Sequence, residues 1–532
     1  MILKKTELAF ALIVTGLALY LSLRFFTHAG PLWRDEVGTL HFATQPSYTD
    51  LLHSLDLMSL PPLYPTLLRL WLSVGWVDHD LGARVFGLLI ALAFPLTIWF
   101  CAKALDGEWP LLTLALGAAH AAVLSMIGLL RPYGLGTIFI LATACAVWRL
   151  VWAPRRATFL VAAVMAILAV QSQYQNELII FVVCVAGVVA ALMGRDWKTS
   201  GLVVVVGALA GLSLLPYVGV VSRSRQWLVL AQTLNPDPLS WLVIRFVDLV
   251  TMYSPTALAM WVVIIGLAGY GIARVLWTAS DDGGLGRRRT VYAAVVVVGS
   301  IVSFLLFFKS VERSFQTWHV VPLIAVTALS LDMIFAPPLW PRITRLAIAV
   351  VAVAISLPIA ITQVGIRQTN IDLIARFLQR EAALGDLIVI DPWFIGITFR
   401  HYYQGPVESM TVPPIEDLRI HRFDLEKERM MSREPLAPLK QAILKSLEGG
   451  HRVWVVGGMR HLPTGFAPRD LPPPPLPLSG WADAPYTINW SVQISHLLQA
   501  HGRRRYFITI PLNQAVNGYE NASLSMVEGW AS

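Results

Sequence analysis

The sequence is poor in cysteine and in charged residues. Three cysteines occur in 532 residues, and Cys101, Cys145 and Cys184 all lie inside apolar runs. This placement excludes both a disulfide framework and a thiolate zinc site. Charged residues make up 14% of the chain, against roughly 25% in a typical soluble domain, so a water-soluble globule and a disordered chain are also excluded.

Apolar residues, by contrast, account for 56% of the chain and are concentrated in long runs. A helix that crosses a bilayer needs about 20 consecutive apolar residues. The sequence therefore predicts a polytopic α-helical membrane protein with about 11 transmembrane helices. The predicted spans lie near residues 8–26, 82–102, 110–128, 134–152, 157–172, 178–193, 200–219, 257–277, 291–308, 318–336 and 344–362.

The distribution of Lys and Arg predicts the orientation of these spans. The net charge is +8, and positive residues are concentrated in alternate connections, such as Arg155-Arg156 and Arg287–Arg289. Because such loops face the cytoplasm, we expect a membrane protein with a cytoplasmic N-terminus. An odd number of spans then places the C-terminal domain outside. The positive charge is explained by membrane insertion, so we expect no nucleic-acid partner.

The composition changes near residue 369, which predicts two domains. Residues 1–368 form the transmembrane domain, with a first outer loop at about 27–81 that carries interfacial helices. Leu63–Trp76 is one of these, because it is too short to span and contains Arg69. Residues 369–532 form an extracytoplasmic α/β domain, which begins with an amphipathic helix at 371–381 and has buried strands at 386–390, 452–456 and 506–510.

A pair of acidic residues follows the first span closely. Asp35 and Glu36 lie in the sequence Trp33-Arg34-Asp35-Glu36. Adjacent carboxylates at a membrane interface can act as a general base, as a metal ligand or as both. They can equally complement the dipole of a helix that begins there, and spacing alone does not choose between these roles.

The motifs around this pair resemble those of a known superfamily. Trp33-Arg34-Asp35-Glu36 is followed by Pro61-Pro62-Leu63-Tyr64, then by Ala83-Arg84 and by Arg131-Pro132-Tyr133, with an outer α/β domain last. This order resembles the GT-C membrane glycosyltransferases over roughly residues 1–340. The resemblance is greatest to bacterial protein mannosyltransferases, lipid A aminoarabinose transferases and lipopolysaccharide-core galacturonosyltransferases.

The resemblance implies a reaction at the outer face of the membrane. The donor is a polyprenyl-phosphate sugar, and the acceptor is a hydroxyl of a lipid, glycan or protein of the cell envelope. Asp35 matches the catalytic base of the family. Glu36 would support it, either by orienting Asp35 or by holding a divalent cation. The resemblance implies no cofactor other than such a cation, and it leaves the identity of the metal open. Membrane lipids are further expected partners.

The donor phosphate is anionic, so its site requires cations and hydrogen-bond donors. Arg84 and Arg131 occupy family motif positions, and Tyr133 follows in the same motif. Lys309 and Arg313 map to the outer end of a later predicted span. Alternatively, cations at such positions reach lipid headgroups, and Tyr133 belongs to the aromatic belt.

The sequence also departs from the family pattern. Residues 125–130 lack the acidic residue that many relatives carry before the Arg131 position, and a hairpin that often has a His-Tyr pair reads Gln173-Tyr174-Gln175-Asn176-Glu177. Glu177 is therefore a candidate second carboxylate, or a polar residue of a turn. His401-Tyr402-Tyr403 is interpreted as packing rather than as an acceptor contact.

The resemblance therefore implies a polyprenyl-phosphate-sugar-dependent glycosyltransferase, inverting or retaining, in a bacterial inner membrane. A transporter or flippase for a lipid-linked glycan is the alternative. It would need the same cations but no general base, so Asp35 discriminates between the two.

Overall fold

The computed structural model describes residues 2–104, 108–228, 239–277, 284–311, 315–337, 339–473 and 483–531. Helices dominate the first two thirds of the chain. In order they are α1 (Ile2–His28), α2 (Arg34–Ala43), α3 (Tyr48–His53), α4 (Leu55–Met58), α5 (Leu63–Leu72), α6 (His79–Ala104), α7 (Ala121–Ile127), α8 (Tyr133–Trp152), α9 (Arg156–Ser172), α10 (Asn176–Met193), α11 (Trp197–Leu212), α12 (Val218–Leu228), α13 (Leu239–Thr251), α14 (Pro255–Trp277), α15 (Leu285–Ser310), α16 (Thr317–Ile334) and α17 (Arg342–Val364).

The remainder of the chain alternates helices with short strands. The helices are α18 (Ile371–Glu381), α19 (Gly396–Tyr402), α20 (Phe423–Met431), α21 (Ala437–Glu448) and α22 (Ala484–His501). The strands are β1 (Leu387–Asp391), β2 (Glu408–Thr411), β3 (Val453–Gly457), β4 (Gly502–Ile508) and β5 (Leu524–Trp530).

The chain folds into two compact units, and each is described separately below. The helical unit comprises Met1–His28, Leu60–Val218 and Asp237–Gly365. The α/β unit comprises Ala29–Ser59, Gly219–Pro236 and Ile366–Ser532. Residues that immediately follow the first predicted span therefore belong to the same unit as the C-terminal sheet.

Nine helices in the described ranges are long and apolar enough to cross a membrane. They confirm a polytopic α-helical membrane protein and correspond to nine of the 11 predicted spans, so the count of 11 is not confirmed. α5 has ten residues and is too short to span, as expected. α13 has 13 residues and is likewise too short to span, and residues 229–238 before it lie outside the described ranges.

Two predicted spans differ from the structure. Residues 157–172 form α9, which has 17 residues and is shorter than a typical span. Residues 110–128 do not form one helix, because a π-helical turn at Thr113–Ala118 ends before α7 begins. His120 adopts an extended backbone there, and its Nδ1 accepts a hydrogen bond from Ala122 N–H at 3.2 Å. The apolar sequence of residues 110–128 does not reveal this break, because hydrophobicity indicates burial but does not show whether a helix is continuous.

A buried charge network holds the π-helical turn within the helical unit. Asp332 on α16 accepts hydrogen bonds from Leu112 N–H at 3.0 Å, Thr113 N–H at 2.7 Å and the Thr113 hydroxyl at 2.6 Å. Arg345 on α17 is 1% exposed and pairs with Asp332 at 3.1 Å. Its Nη1 also lies 3.9 Å from the fully buried Glu7 carboxylate on α1. Three distant segments are thus joined by ionic contacts that the sequence pattern did not reveal.

The α/β unit contains one five-stranded sheet in the order β2-β1-β3-β5-β4. β1 pairs in parallel with β2 and β3, whereas β5 is antiparallel to β3 and β4. The strands predicted at 386–390 and 452–456 correspond to β1 and β3. The buried strand predicted at 506–510 overlaps only the end of β4, which is largely exposed because it lies at the edge of the sheet. β2 was missed because it is short and mostly exposed, and β5 because Ser525, Glu528 and Gly529 interrupt its apolar pattern.

Alternating side chains of the central strands build two hydrophobic cores. Leu387, Val389, Val453 and Val455 pack with residues of α21 and α22 on one face of the sheet. The residues between them, including Ile388 and Trp454, pack with α18 and α19 on the other face. Because both faces are covered, β1 and β3 are continuous apolar runs, as is typical of a buried parallel pair.

Glu426 of α20 is buried in this unit with 1% exposure. Burial, together with repulsion from Asp483, raises the pKa of Glu426 to about 8. A raised carboxyl pKa means that the folded chain holds a proton that the unfolded chain releases. The contribution of Glu426 to stability is therefore fully present below pH 4.5, the ordinary value for glutamate, and is lost as the pH rises toward 8.

We expect Glu426→Gln to raise the melting temperature at pH 8.5 by at least ~2 °C, because the amide carries no charge to bury. The gain should disappear at pH 4.5, where the native residue is already neutral. Thermal unfolding at both pH values, with Glu434→Gln at an exposed position as the matched control, measures the difference. An equal effect of Glu426→Gln at both pH values would contradict this prediction.

Candidate active site at the start of α2

α2 begins at the acidic pair that the sequence singled out. Trp33 is its N-cap, and Asp35 and Glu36 lie in its first turn. Glu36 is fully buried, and its Oε2 accepts a hydrogen bond from Trp33 N–H at 3.4 Å. A glutamate that returns to its own N-cap stabilises the helix start. Glu36 thus stabilises the start of α2. This contact supports a role in orienting Asp35 in preference to a role in the reaction itself.

Asp35 has different surroundings. Its Oδ1 lies 3.4 Å from His421 Nε2 and 3.6 Å from Arg34 Nε, and its side chain is 17% exposed. An imidazole and a guanidinium therefore face one oxygen of a carboxylate that retains access to solvent.

Arg34 is held by contacts with the C-terminal part of the chain. Its guanidinium lies 4.4 Å from the centre of the Phe394 ring and donates a hydrogen bond to Tyr519 O at 3.2 Å. Its backbone N–H faces both oxygens of Glu520 at 3.3 Å. The first residue of α2 is therefore fixed by groups that lie far away in sequence.

Glu520 is the second buried carboxyl beside α2. It is 2% exposed and accepts a hydrogen bond from the Thr398 hydroxyl at 2.8 Å. Burial raises the pKa of Glu520 to about 7, although the nearby Arg34 charge opposes the shift. The charge of Glu520 therefore changes near neutral pH. The same carboxyl accepts the backbone hydrogen bond from Arg34, the first residue of the helix that carries Asp35.

The far end of α2 is fixed by a pair of histidines. His41 Nδ1 donates a hydrogen bond to Arg419 O at 2.9 Å, which leaves its Nε2 to accept from His401 Nδ1 at 3.1 Å. Tyr402 accepts a hydrogen bond from Leu32 N–H through its hydroxyl, at 2.9 Å. The packing role expected for His401 and Tyr402 agrees with these contacts, and their neighbour is α2 itself.

The segment that presents His421 is braced by charge pairs. Arg422 bridges Asp417 at 2.7 Å and Asp424 at 2.6 Å. Arg419 also contacts Asp417 at 3.0 Å, and hydrogen bonds from Arg419 lower the pKa of Asp417 to about 2. The backbone around His421 is therefore pinned on both sides by ionised groups at neutral pH.

Most of the predicted phosphate-binding residues lie in the helical unit. Arg131 Nε contacts the Tyr133 hydroxyl at 3.3 Å, and the Tyr133 ring stacks on Trp318 at 5.9 Å. Gly87 lies against Gly128, so close that a side chain at Gly87 would meet Gly128 O at 2.2 Å. This contact brings Arg84, one helical turn before Gly87, to the end of the unit that carries Arg131.

Lys309 is an exposed residue near the end of α15. Its neighbour Phe308 packs 4.6 Å from His319 of α16, one residue after Trp318. Lys309 and the Arg131–Tyr133 segment therefore lie at the same end of the helical unit. Arg313 falls outside the described residues. Glu177 is exposed in the first turn of α10, and its role as a second carboxylate stays a prediction.

In the part of the chain that the structure describes, no three His, Cys, Asp or Glu side chains are grouped as metal ligands. The three cysteines are buried and free, within the helical unit.

Sequence reasoning missed His421, Glu520 and His41. His421 and Glu520 lie in polar stretches without a motif, and only long-range packing brings them to α2, the helix that carries His41. The segment Arg419-Ile-His-Arg-Phe423 matches no motif, so no local pattern distinguishes His421.

Comparison with known proteins found no matching family model and no matching curated protein. Among solved structures, the chain is similar to ArnT from Cupriavidus metallidurans bound to undecaprenyl phosphate. The identity is 12% and the TM-score 0.49, over 85% of this chain and 92% of ArnT. The apo state of the same enzyme gives 13% identity and a TM-score of 0.49 over the same shares.

The arabinofuranosyltransferase AftD from Mycobacteria is also similar, at 15% identity and a TM-score of 0.40, over 98% of this chain and 40% of AftD. ArnT, an aminoarabinose transferase, and AftD are both GT-C glycosyltransferases, the superfamily that the sequence motifs resemble.

Proposed function

We propose that this integral membrane protein is a glycosyltransferase that moves a sugar from a polyprenyl-phosphate donor to an acceptor hydroxyl. The observation that carries the proposal is the setting of Asp35. This partly exposed carboxylate follows the end of α1 by seven residues and is held by His421 and Arg34. A transporter needs no such base, whereas glycosyl transfer does.

The proposed mechanism assigns one task to each group. Asp35 removes the proton of the acceptor hydroxyl as the acceptor oxygen attacks the anomeric carbon. The bond from that carbon to the phosphate oxygen breaks, and the electron pair leaves with the phosphate. Arg131 and Arg84 stabilise the charge that develops on the phosphate, because guanidinium groups donate fixed, paired hydrogen bonds. Lys309, Tyr133 and Arg313 are proposed to assist.

The direct test is sugar transfer by the purified full-length protein in nanodiscs. A synthetic polyprenyl-phosphate sugar serves as donor and cell-envelope extracts serve as acceptor, with product detected by mass spectrometry. Transfer that depends on the lipid phosphate supports the proposal. Movement of the donor across the bilayer without cleavage of the sugar–phosphate bond would instead support the transporter.

The phosphate role predicts the effect of removing the guanidinium groups. Arg131→Ala and Arg84→Ala should each raise the Kd for the donor at least ~10-fold, since a hydrogen bond to a charged group is worth roughly 1.5–3 kcal/mol. Lys at either position should recover only part of the affinity, because its charge lacks the planar fork. Donor titrations measure this effect, with the exposed Arg156→Ala as the control. Unchanged affinity in both folded variants would remove the assignment.

The proposed orientation places the α/β unit outside the cytoplasm. Single cysteines at the exposed positions Thr49 and Arg433 should react with an impermeant maleimide on intact cells. A cysteine at Arg156, in a predicted cytoplasmic loop, should react only after permeabilisation. The native cysteines are buried and give a low background. The reverse pattern would invert the proposed topology.

A further inference from the structure

His421 and Asp35 form a contact between two segments that lie far apart in the sequence. Nε2 of the imidazole lies 3.4 Å from Oδ1 of the carboxylate, and the two side chains are only 12% and 17% exposed. Both residues belong to the α/β unit. A histidine placed this way is able to donate a hydrogen bond to an ionised carboxylate.

The opposite edge of the imidazole is closed by α2. Gly38 packs so tightly on the ring that a methyl group there would lie 3.3 Å from His421 Nδ1 and 3.5 Å from Cε1. One edge therefore faces Asp35, and the other is covered by the helix that carries Asp35. In this arrangement the imidazole acts on the carboxylate and does not itself reach toward an acceptor.

The ring is also held from its face. His421 stacks on Phe423 with centroids 5.7 Å apart and planes 21° apart, and Phe423 packs edge-on against Trp393. Arg422 locks the flanking backbone through its contacts with Asp417 and Asp424. A side chain with this much support has little rotamer freedom, which is the condition for orienting a partner.

We propose that His421 is a positioning residue for Asp35. The His421 Nε2–H donates to Asp35 Oδ1 and directs the other carboxylate oxygen toward the acceptor hydroxyl. The acceptor proton then moves to that oxygen, the acceptor oxygen bonds to the anomeric carbon, and the sugar–phosphate bond breaks as described above. His421 keeps its proton throughout. This inference rests on the proposed function, because it concerns the efficiency of the same base.

The first test compares two replacements of His421. Phenylalanine keeps the stacking on Phe423 but donates no hydrogen bond, so His421→Phe should lower kcat about 10–100-fold, as expected for one charge-assisted hydrogen bond. The KM for the donor should change less than about twofold, because the residue acts on the proton transfer. His421→Gln offers an amide N–H and should retain most of the activity. The exposed His461→Phe is the matched control.

The second test asks whether His421 acts through Asp35. In the double variant Asp35→Asn/His421→Phe, activity should equal that of Asp35→Asn alone, because the group that His421 orients is already inactive. Gly38→Val should reproduce much of the loss seen in His421→Phe, since its side chain displaces the imidazole without changing either partner. Thermal unfolding of each variant shows whether the fold is retained.

The outcomes separate the two proposals. Normal kcat in His421→Phe, equal losses in His421→Phe and His421→Gln, or additive losses in the double variant would overturn the positioning role and leave the glycosyltransferase standing. Normal turnover in Asp35→Asn would overturn Asp35 as the base, and the positioning role would fall with it. If the native protein transfers no sugar, both proposals are wrong.

Discussion

Replacing Asp35 by Asn should reduce sugar transfer by roughly 10²–10⁴-fold, the usual contribution of a general base. The amide has the shape of the carboxylate and still accepts a hydrogen bond from His421, so the contacts around α2 should survive. It cannot accept the acceptor proton. We therefore expect a loss in kcat with little change in donor affinity, measured by steady-state transfer assays in nanodiscs.

The neighbouring carboxyl provides the matched control. Glu36 accepts a hydrogen bond from Trp33 N–H, and glutamine can accept the same bond. Glu36→Gln should therefore have a milder effect on turnover than Asp35→Asn, although the two residues are adjacent. Near-normal turnover in Asp35→Asn would contradict the assignment and direct the search for the base to Glu36 and Glu177.

The largest expected effect on stability comes from Arg345. Its guanidinium is 1% exposed and contacts Asp332 at 3.1 Å, with Glu7 at 3.9 Å and Glu108 at 3.7 Å. Arg345→Met leaves Asp332 without the Arg345 guanidinium in the interior of the helical unit, whereas Glu7 and Glu108 keep their contacts with Arg342. Breaking a buried ion pair costs roughly 3–5 kcal/mol. At about 1–2 °C for each kcal/mol in a unit of this size, the melting temperature should fall by roughly 3–10 °C.

Thermal unfolding in detergent measures this effect, with the exposed Arg156→Met as the control for loss of a positive charge. The double variant Arg345→Met/Asp332→Asn should lose less stability than the sum of its single variants, because it removes both members of one pair. A melting temperature of Arg345→Met within ~2 °C of the native protein would show that the network does not support the fold.

The predictable part of the fold follows from hydrophobic periodicity. In the described ranges, nine long apolar runs form helices that are suited to a bilayer. A helix can cross a bilayer because it satisfies its own backbone hydrogen bonds. β1 and β3 were equally clear, since strands buried on both faces require continuous apolar residues. The break at His120 was invisible, because its cause is a side chain that caps α7 inside an otherwise apolar run.

The candidate site also has one part that the sequence predicts and another part that only the structure reveals. Asp35, Glu36 and the order of the surrounding motifs are properties of the sequence, and they are sufficient to suggest a base and phosphate-binding cations. They do not distinguish two adjacent carboxylates. The structure gives the two carboxylates different surroundings. Glu36 is buried and accepts a hydrogen bond from Trp33 N–H, whereas Asp35 faces His421 and Arg34.

The sequence by itself therefore determined the membrane class, the central strands and the residues available for chemistry, since these depend on local composition and spacing. Only the tertiary structure decided which groups surround Asp35. His421 and Glu520 reach α2 through packing between segments far apart in the chain, and no local pattern encodes such a contact. The burial that raises the pKa of Glu520 to about 7 is likewise a property of the assembled fold.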